Sequence, residues 1–275
     1  MQVKQLINPQ GFKDLVADFL IQHEDINNLP LGIIFGLEKG PQDTEPFMAV
    51  VSEQDSIQLV MVKTTSHLVL STSPNLASVK NTIDYIIKND IHVPTVIGPK
   101  EVADEFVRVW EERGLSKAKV DMAQRIYRLD IVNAVPRAPG FMRLAQSEEL
   151  GLVTQWVMEF GAEAMEKMSH EQARKLAEGS IDQQSIYIWE NGQPVAMAKK
   201  SRPTKNGVVI NLVYTPPKFR RKGYATSCVA GLSQQLLAEG FKFCCLYTDL
   251  SNPTSNKIYM NIGYQPVADS VVYKL

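Results

Sequence analysis

Three cations run into a glycine at Arg220-Arg221-Lys222-Gly223-Tyr224-Ala225-Thr226, and the chemistry this suggests is the cradling of an anion. Gly223 lets the backbone approach a ligand with no Cβ in the way. Ahead of the run, Gly207 to Tyr214 is β-branched and apolar enough for a buried strand. Behind it, Val229, Leu232, Leu236 and Leu237 recur at helical spacing across residues 226–239. A strand, a glycine turn and a helix start aim unpaired N–H groups and the positive end of a helix dipole at whatever sits in the turn, which favours a phosphate or diphosphate. A solvated basic turn would show the same residues, so Arg-x-x-Gly-x-Ala alone is a weak signal.

A second constellation follows, from Asn252-Pro253 through Ser255 and Tyr259 to Gly263-Tyr264. Pro253 suits the first turn of a helix and Asn252 its N-cap. Ser255 and Tyr259, four residues apart, share a helical face. Taken singly, each has a structural role to play: the asparagine caps, the tyrosine packs, the glycine ends the helix.

Composition narrows the partners. The chain has 275 residues, a net charge of −1, 44% hydrophobic and 21% charged residues. That balance is ordinary for a globular protein and lacks the basic excess of a general nucleic-acid binder, so a local basic loop points to a small anion. No apolar run approaches the roughly 20 residues that span a membrane, and residues 1–10 lack a signal-peptide pattern, so a cytoplasmic protein is expected. Cys244 and Cys245 are neighbours on an expected strand and point to opposite faces; with Cys228 they read as small buried residues. His23, His67, His92 and His170 are scattered, with no CxxC or HExxH, so no metal is expected.

The elements that must position these residues fall into two series. The first has helices at 12–22 and 31–37, strands at 46–51, 57–63 and 67–71, a helix opened by Pro74-Asn75, a strand at 93–97, a helix at 101–113 and a strand at 120–130. Residues 133–139, punctuated by proline and carrying few packing residues, form the expected linker between domains at 1–132 and 140–275. The second series has a strand at 141–145, a helix capped by Ser147 and running to about 165, and a helix opened by the capping box Ser169 to Gln172. Strands at 185–190 and 194–200 flank Asn191-Gly192, a strong hairpin signal. The organising strand, the long helix, a strand at 241–248, a helix at 253–261 and a strand at 271–275 complete it. The shared order suggests an internal duplication whose first copy has Thr72-Ser73-Pro74-Asn75 where the second has its basic loop.

Taken together, the two constellations resemble the GCN5-related N-acetyltransferase family. Its acyl-CoA loop pattern, (Gln or Arg)-x-x-Gly-x-(Gly or Ala), is matched by Arg220, Gly223 and Ala225. Its later pattern, Asn-Pro-x-Ser-x-x-x-Tyr-x-x-x-Gly-(Phe or Tyr), is matched by Asn252, Pro253, Ser255, Tyr259, Gly263 and Tyr264. The resemblance covers about residues 140–275, and the whole chain looks like the two-part glycine N-acyltransferase-like branch. It implies an α+β, sandwich-like fold in which a mixed, mostly antiparallel central sheet is flanked by helices. Two tandem copies of the acyl-CoA N-acyltransferase fold are expected, the first degenerate.

The resemblance also implies roles. The diphosphate of acetyl-CoA, as co-substrate, would rest on the amides of Arg221, Lys222, Gly223, Tyr224, Ala225 and Thr226, with Arg220 assisting. The pantetheine arm would run along Leu212, Val213 and Tyr214, which requires that strand to splay from 244–247; a bulge is the usual device. The N–H near Val213 would polarise the thioester carbonyl, and Tyr259 would protonate the leaving thiolate. Asn252 and Ser255 would contact the pantetheine arm. Candidates for the general base are Glu190, Glu163, Glu166 or a water relay. The expected activity is N-acetyl transfer to a small or protein amine, by direct attack in a ternary complex. The alternatives are an acyl-CoA-binding regulator, a scaffold with relic motifs, and transfer of another acyl group to an amino-acid acceptor. Neither nucleic acid nor membrane is an expected partner, and the oligomeric state is open.

Overall fold

The computed structural model describes residues 1–37, 46–63, 67–164 and 168–275. In the first half the order is β1 (Gln2–Leu6), α1 (Pro9–Ile21), α2 (Asn28–Leu37), β2 (Phe47–Glu53), β3 (Ser56–Lys63), β4 (His67–Leu70), α3 (Ala77–Lys88), β5 (Thr95–Pro99), α4 (Lys100–Glu112) and β6 (Lys119–Leu129). The second half repeats it: β7 (Phe141–Leu144), α5 (Leu150–Glu163), α6 (His170–Asp182), β8 (Ile186–Glu190), β9 (Pro194–Ser201), β10 (Gly207–Tyr214), α7 (Tyr224–Ala238), β11 (Phe243–Asp249), α8 (Pro253–Ile262) and β12 (Gln265–Lys274). The duplicated architecture is therefore present, and more complete than the sequence suggested. β1, a mostly polar strand, was not expected, and β12 begins at Gln265 rather than 271.

Local chemistry accounts for several of these boundaries. Asn8 caps α1 by accepting from the Gly11 N–H at 3.0 Å, and Pro9 follows in the first turn. Phe12, Val16 and Leu20, spaced by four, then face the core. The box at Ser169 and Gln172 forms as expected, with reciprocal bonds of 3.2 and 2.9 Å. Ser147 does not cap α5. It lies inside a short 3-10 turn (Ser147–Glu149), and Glu149 reaches back to the Gln146 N–H at 2.8 Å, one residue earlier.

Among the described residues twelve strands form one sheet, ordered β1-β2-β3-β4-β5-β12-β6-β11-β10-β9-β8-β7. Only the pairs β4/β5 and β10/β11 are parallel, so the sheet is mixed and mostly antiparallel. At its centre the halves exchange their closing strands. β6 of the first half lies between β11 and β12, while β12 lies between β5 and β6. Neither half completes its sheet without a strand from the other. Helices cover both faces: α7 and α8 lie on one side of the second half, α5 and α6 on the other. Cys244 and Cys245 do fall on opposite faces, both buried and free.

Residues 133–139 are better anchored than their composition suggests. The Asn133 N–H donates to the Ile262 carbonyl at 2.8 Å, the Ala138 N–H to Ser227 Oγ at 2.8 Å, and Trp189 Nε1 to the Pro139 carbonyl at 3.0 Å. Backbone bonding, which residue type does not reveal, holds this segment against α7, α8 and β8.

A second tie between the halves is Glu24. This buried carboxylate accepts from Thr204 Oγ1 (2.6 Å), the Asn206 N–H (2.7 Å), Asn206 Nδ2 (2.7 Å) and the Gly207 N–H (3.3 Å), clamping the turn that leads into β10. Burial pushes its pKa up, but these hydrogen bonds together outweigh burial and hold it below the ordinary 4.5. A depressed carboxylate contributes stability in full above its unfolded value and loses it as pH falls through the folded one. Glu24→Ala should therefore cost about 2–4 kcal/mol at neutral pH, because it leaves the buried Gly207 N–H and three partly buried donors without this acceptor. In urea titrations the gap between wild type and variant should narrow below about pH 4.5; an unchanged gap down to about pH 3 would refute the clamp.

Candidate active site

The glycine turn and the start of α7 have the character of an anion site. Gly223 occupies the left-handed region at φ 79°, as does Arg221 at φ 64°. A Cβ placed at Gly223 would meet nothing closer than Ala138 Cβ at 3.8 Å, so the turn is open there. Among the described residues no acceptor engages the amides of residues 221–226, whereas the next amide, Ser227, bonds to the Gly223 carbonyl at 3.0 Å. Six consecutive unpaired N–H groups at a helix N-terminus suit an anion such as a diphosphate. The Arg221 and Lys222 side chains are exposed at the same place, with no hydrogen bond or ion pair among the described residues. Tyr224 can take part only through its backbone: its ring is buried and its hydroxyl accepts from Asn191 Nδ2 at 2.8 Å.

Arg220 does something else. Its guanidinium donates to the Thr215 carbonyl at 2.8 Å and pairs with Glu163 at the end of α5, lying 5.9 Å from the Tyr214 ring centroid. In this arrangement it shapes the turn, and Glu163 offsets its charge.

The expected splay and bulge are both present. β10 and β11 pair only from Gly207↔Phe243 to Val209↔Cys245. On the other side of β10, the register against β9 slips between Asn211 and Tyr214, where Leu212 has φ 46°. That bulge turns the strand away from β11 and leaves its inner edge from Ile210 onward unpaired with β11. Val213 faces the α7/α8 side; Leu212 and Tyr214 face α5. The Tyr214 phenol donates to Glu159 Oε2 at 2.8 Å, and burial, reinforced by that carboxylate, drives its pKa well up. Leu212 and Tyr214 can therefore offer a ligand in the gap only their main chain. Beside them, a cleft of about 450 Å³ is lined by Trp156, Glu159, Gln193, Pro194, Lys218 and Phe219.

α8 carries the other half of the constellation. Asn252 Oδ1 accepts from the Ser255 N–H at 3.1 Å, so its side chain caps the helix as expected. Tyr259 lies in the α7/α8 core, its ring edge-on to Tyr264 at 6.0 Å. Its hydroxyl makes no hydrogen bond among the described residues, and the side chain is buried. Burial, with a smaller push from Cys228, raises its pKa well above 10. Asn256, not anticipated from sequence, ties α8 to the sheet. It accepts from Thr248 Oγ1 and from the Tyr127 hydroxyl (3.2 Å), and donates to the carbonyls of Asn252 (2.8 Å) and Asp249 (3.2 Å). Tyr127 belongs to β6, so the exchanged strand of the first half supports the helix that presents Tyr259. The only sequence hint was an asparagine one residue past Ser255.

The base candidates are dispersed. Glu190 is held by Arg143, which also binds Glu149 through two bonds of 2.8 Å. Glu163 is held by Arg220, and Glu166 lies outside the described residues. Among the described residues no group of His, Cys, Asp and Glu could hold a metal, and no helix is long and apolar enough to cross a membrane.

Comparison with known proteins agrees with this geometry. Residues 190–272 match the model of the FR47-like protein family. No curated protein matches the chain. Among solved structures, a GNAT-family acetyltransferase from Colwellia psychrerythraea is 11% identical over 100% of this chain and 99% of its own, with a TM-score of 0.62. A GCN5-related N-acetyltransferase from Sphaerobacter thermophilus is 13% identical over 99% and 95%, with a TM-score of 0.63. A tandem GNAT protein from the clavulanic acid biosynthesis pathway is 12% identical over 100% and 98%, with a TM-score of 0.59. At these identities the likeness is one of fold. Together with the motifs and the matched segment, it shows that the whole chain has the tandem acyl-CoA N-acyltransferase fold of the GCN5-related N-acetyltransferases, with the second half resembling that family in sequence as well.

Proposed function

We propose that the protein is an acyl-CoA-dependent N-acyltransferase, most simply passing an acetyl group from acetyl-CoA to a primary amine in a ternary complex. The observation that carries this reading is the coincidence of three features on adjacent elements. They are six unpaired amides at 221–226, a bulged strand splayed from its neighbour beyond Val209, and an unpaired phenol at Tyr259. The amides would hold the diphosphate, with Arg221 and Lys222 adding charge. The free inner edge of 210–214 would pair with the amides of the pantetheine arm, as an added strand does.

The neutral amine nitrogen attacks the thioester carbonyl carbon. A C–N bond forms, the C–S bond breaks, the nitrogen's extra proton passes to water or a carboxylate, and the thiolate takes a proton from Tyr259. The Val213 N–H would stabilise charge building on the carbonyl oxygen. A phenol and a thiol are well matched for proton transfer near their ordinary pKa values. Burial raises the phenol here, and the same dry surroundings would raise a thiol beside it. Asn252 and Ser255 would border the arm, Asn252 chiefly as the cap that sets the helix start.

We assign 140–275 as the catalytic part and 1–132 as the part that shapes the acceptor side, joined by 133–139. Three free buried cysteines fit a reducing compartment such as the cytoplasm. The test is free-thiol release from acetyl-CoA against a panel of amines, run beside CoA-induced thermal stabilisation. Stabilisation with amine-dependent thiol release is expected. Stabilisation without release would indicate an acyl-CoA-binding regulator, and no stabilisation would refute the cofactor site.

A further inference from the structure

Proton transfer from Tyr259 requires α8 to be held at one height and rotation over the sheet. Asn256 in its first turn is placed to do this. A side-chain amide has two donor hydrogens and two acceptor lone pairs, and here all four are used. Nδ2 donates to the Asn252 carbonyl at 2.8 Å and to the Asp249 carbonyl at 3.2 Å. Carbonyls only accept, so the nitrogen faces them and Oδ1 faces the hydroxyls of Tyr127, at 3.2 Å, and Thr248. Both hydroxyls therefore donate. Tyr127 and Thr248 are buried, on the adjacent strands β6 and β11. Asn256 and Tyr259, three residues apart, share a helical face, so a change in how the amide is held reaches the phenol within one turn.

The duplication supplies a comparison within the molecule. α4 is the first half's counterpart of α8, and β12, the strand that half receives in exchange, is the counterpart of β6. There the Tyr273 hydroxyl of β12 donates to Asp104 Oδ1 of α4 at 2.7 Å. In each half, then, a tyrosine on the exchanged strand is bonded to the last helix. The two ties differ in what they hold. Three residues past Asp104 stands Val107, whereas three past Asn256 stands Tyr259. Asp104 also pairs with Lys100 on its own helix, while Asn256 gathers α8, β11 and β6 at one amide.

We infer that Tyr127, a residue of the first half, is a positioning residue for proton transfer by Tyr259, acting through Asn256. The phenol gives its proton to a thiolate, and a misplacement of about 1 Å between reacting groups can cost as much as 100-fold in rate. Tyr127 takes no proton itself, since its hydroxyl is committed to Asn256. The first half thereby acts on the thioester side of the reaction as well as on the acceptor side. That role rests on the acyltransferase reading.

The experiment compares Tyr127→Phe with Tyr273→Phe, the same change at the first half's tie, by thiol release from acetyl-CoA, CoA titration and amide hydrogen exchange. Tyr127→Phe keeps the ring and leaves one lone pair of Asn256 empty. Turnover should fall about 5–20-fold with CoA affinity held within about 2-fold, and exchange in α8 should quicken. Thr248→Val removes the other hydroxyl donor and should act in the same direction. Tyr273→Phe should leave turnover within about 2-fold. In a Tyr259→Phe background, adding Tyr127→Phe should cost less than about 2-fold, because the group being positioned is gone. Unchanged turnover in Tyr127→Phe, equal losses in the two backgrounds, or a like loss from Tyr273→Phe would overturn the inference. A wild type that releases no thiol with any amine, while α8 exchange still responds to Tyr127→Phe, would overturn the acyltransferase reading and this role with it, leaving a structural tie alone.

Discussion

Tyr259→Phe is expected to lower turnover by about 10²–10⁴-fold, the usual contribution of a positioned general acid, while CoA affinity changes little. The variant keeps the ring that packs against Tyr264 and removes only a hydroxyl with no hydrogen-bond partner among the described residues, so the fold should be unaffected. Burial raises the phenol's pKa, so it stays protonated throughout the range in which an amine loses its proton. The pH–rate profile of the wild type should therefore rise as the acceptor deprotonates and show no falling limb from Tyr259 below about pH 10. Steady-state thiol release across pH, with CoA titration beside it, checks both points. Unchanged turnover in the phenylalanine variant would mean that another group protonates the thiolate.

Gly223→Asp should weaken CoA binding about 100-fold. Aspartate tolerates the left-handed backbone better than most residues, and an added Cβ meets only Ala138 at 3.8 Å, so the turn should survive. What changes is the electrostatics. A carboxylate about 6 Å from a phosphate charge costs roughly 2–3 kcal/mol at an effective dielectric near 20. Gly223→Asn has nearly the same shape without the charge, and should weaken binding less than about 10-fold. Calorimetry with the two variants separates charge from shape. Equal losses would point to strain in the turn, and no loss in either would remove the anion cradle.

The parts of this site that were legible in the sequence are those made by neighbours in the chain. Gly207–Tyr214 was readable as a strand because β-branched residues run unbroken to a turn, and its ends match the expectation. Asn252-Pro253 was readable as a helix start because capping is a bond across three residues. The bulge followed from what the resemblance required of that strand, and Leu212 provides it. Hidden features depend on partners far away in sequence. Nothing in residues 119–129 says that they lie between β11 and β12, since either half could have paired with its own closing strand. Arg220 was expected at the phosphates because its spacing matched; its bond to Glu163 is set by where α5 ends. Tyr127 behind Asn256, and Arg202 against Gly32 of α2, emerge only once the two halves are brought together. β1 escaped notice because its residues are mostly exposed and polar, and it is recognisable only by its pairing with β2.

The acyltransferase reading depends on one position: a thioester cofactor with its diphosphate on the glycine turn and its sulfur beside a phenol of α8. A crystal structure of the protein with CoA bound tests it most directly. Diphosphate oxygens are expected within hydrogen-bond distance of the amides of 221–226, the pantetheine arm along 212–214, and the sulfur within reach of the Tyr259 hydroxyl. CoA bound elsewhere, or with its sulfur on the far side of β10 from Tyr259, would contradict it.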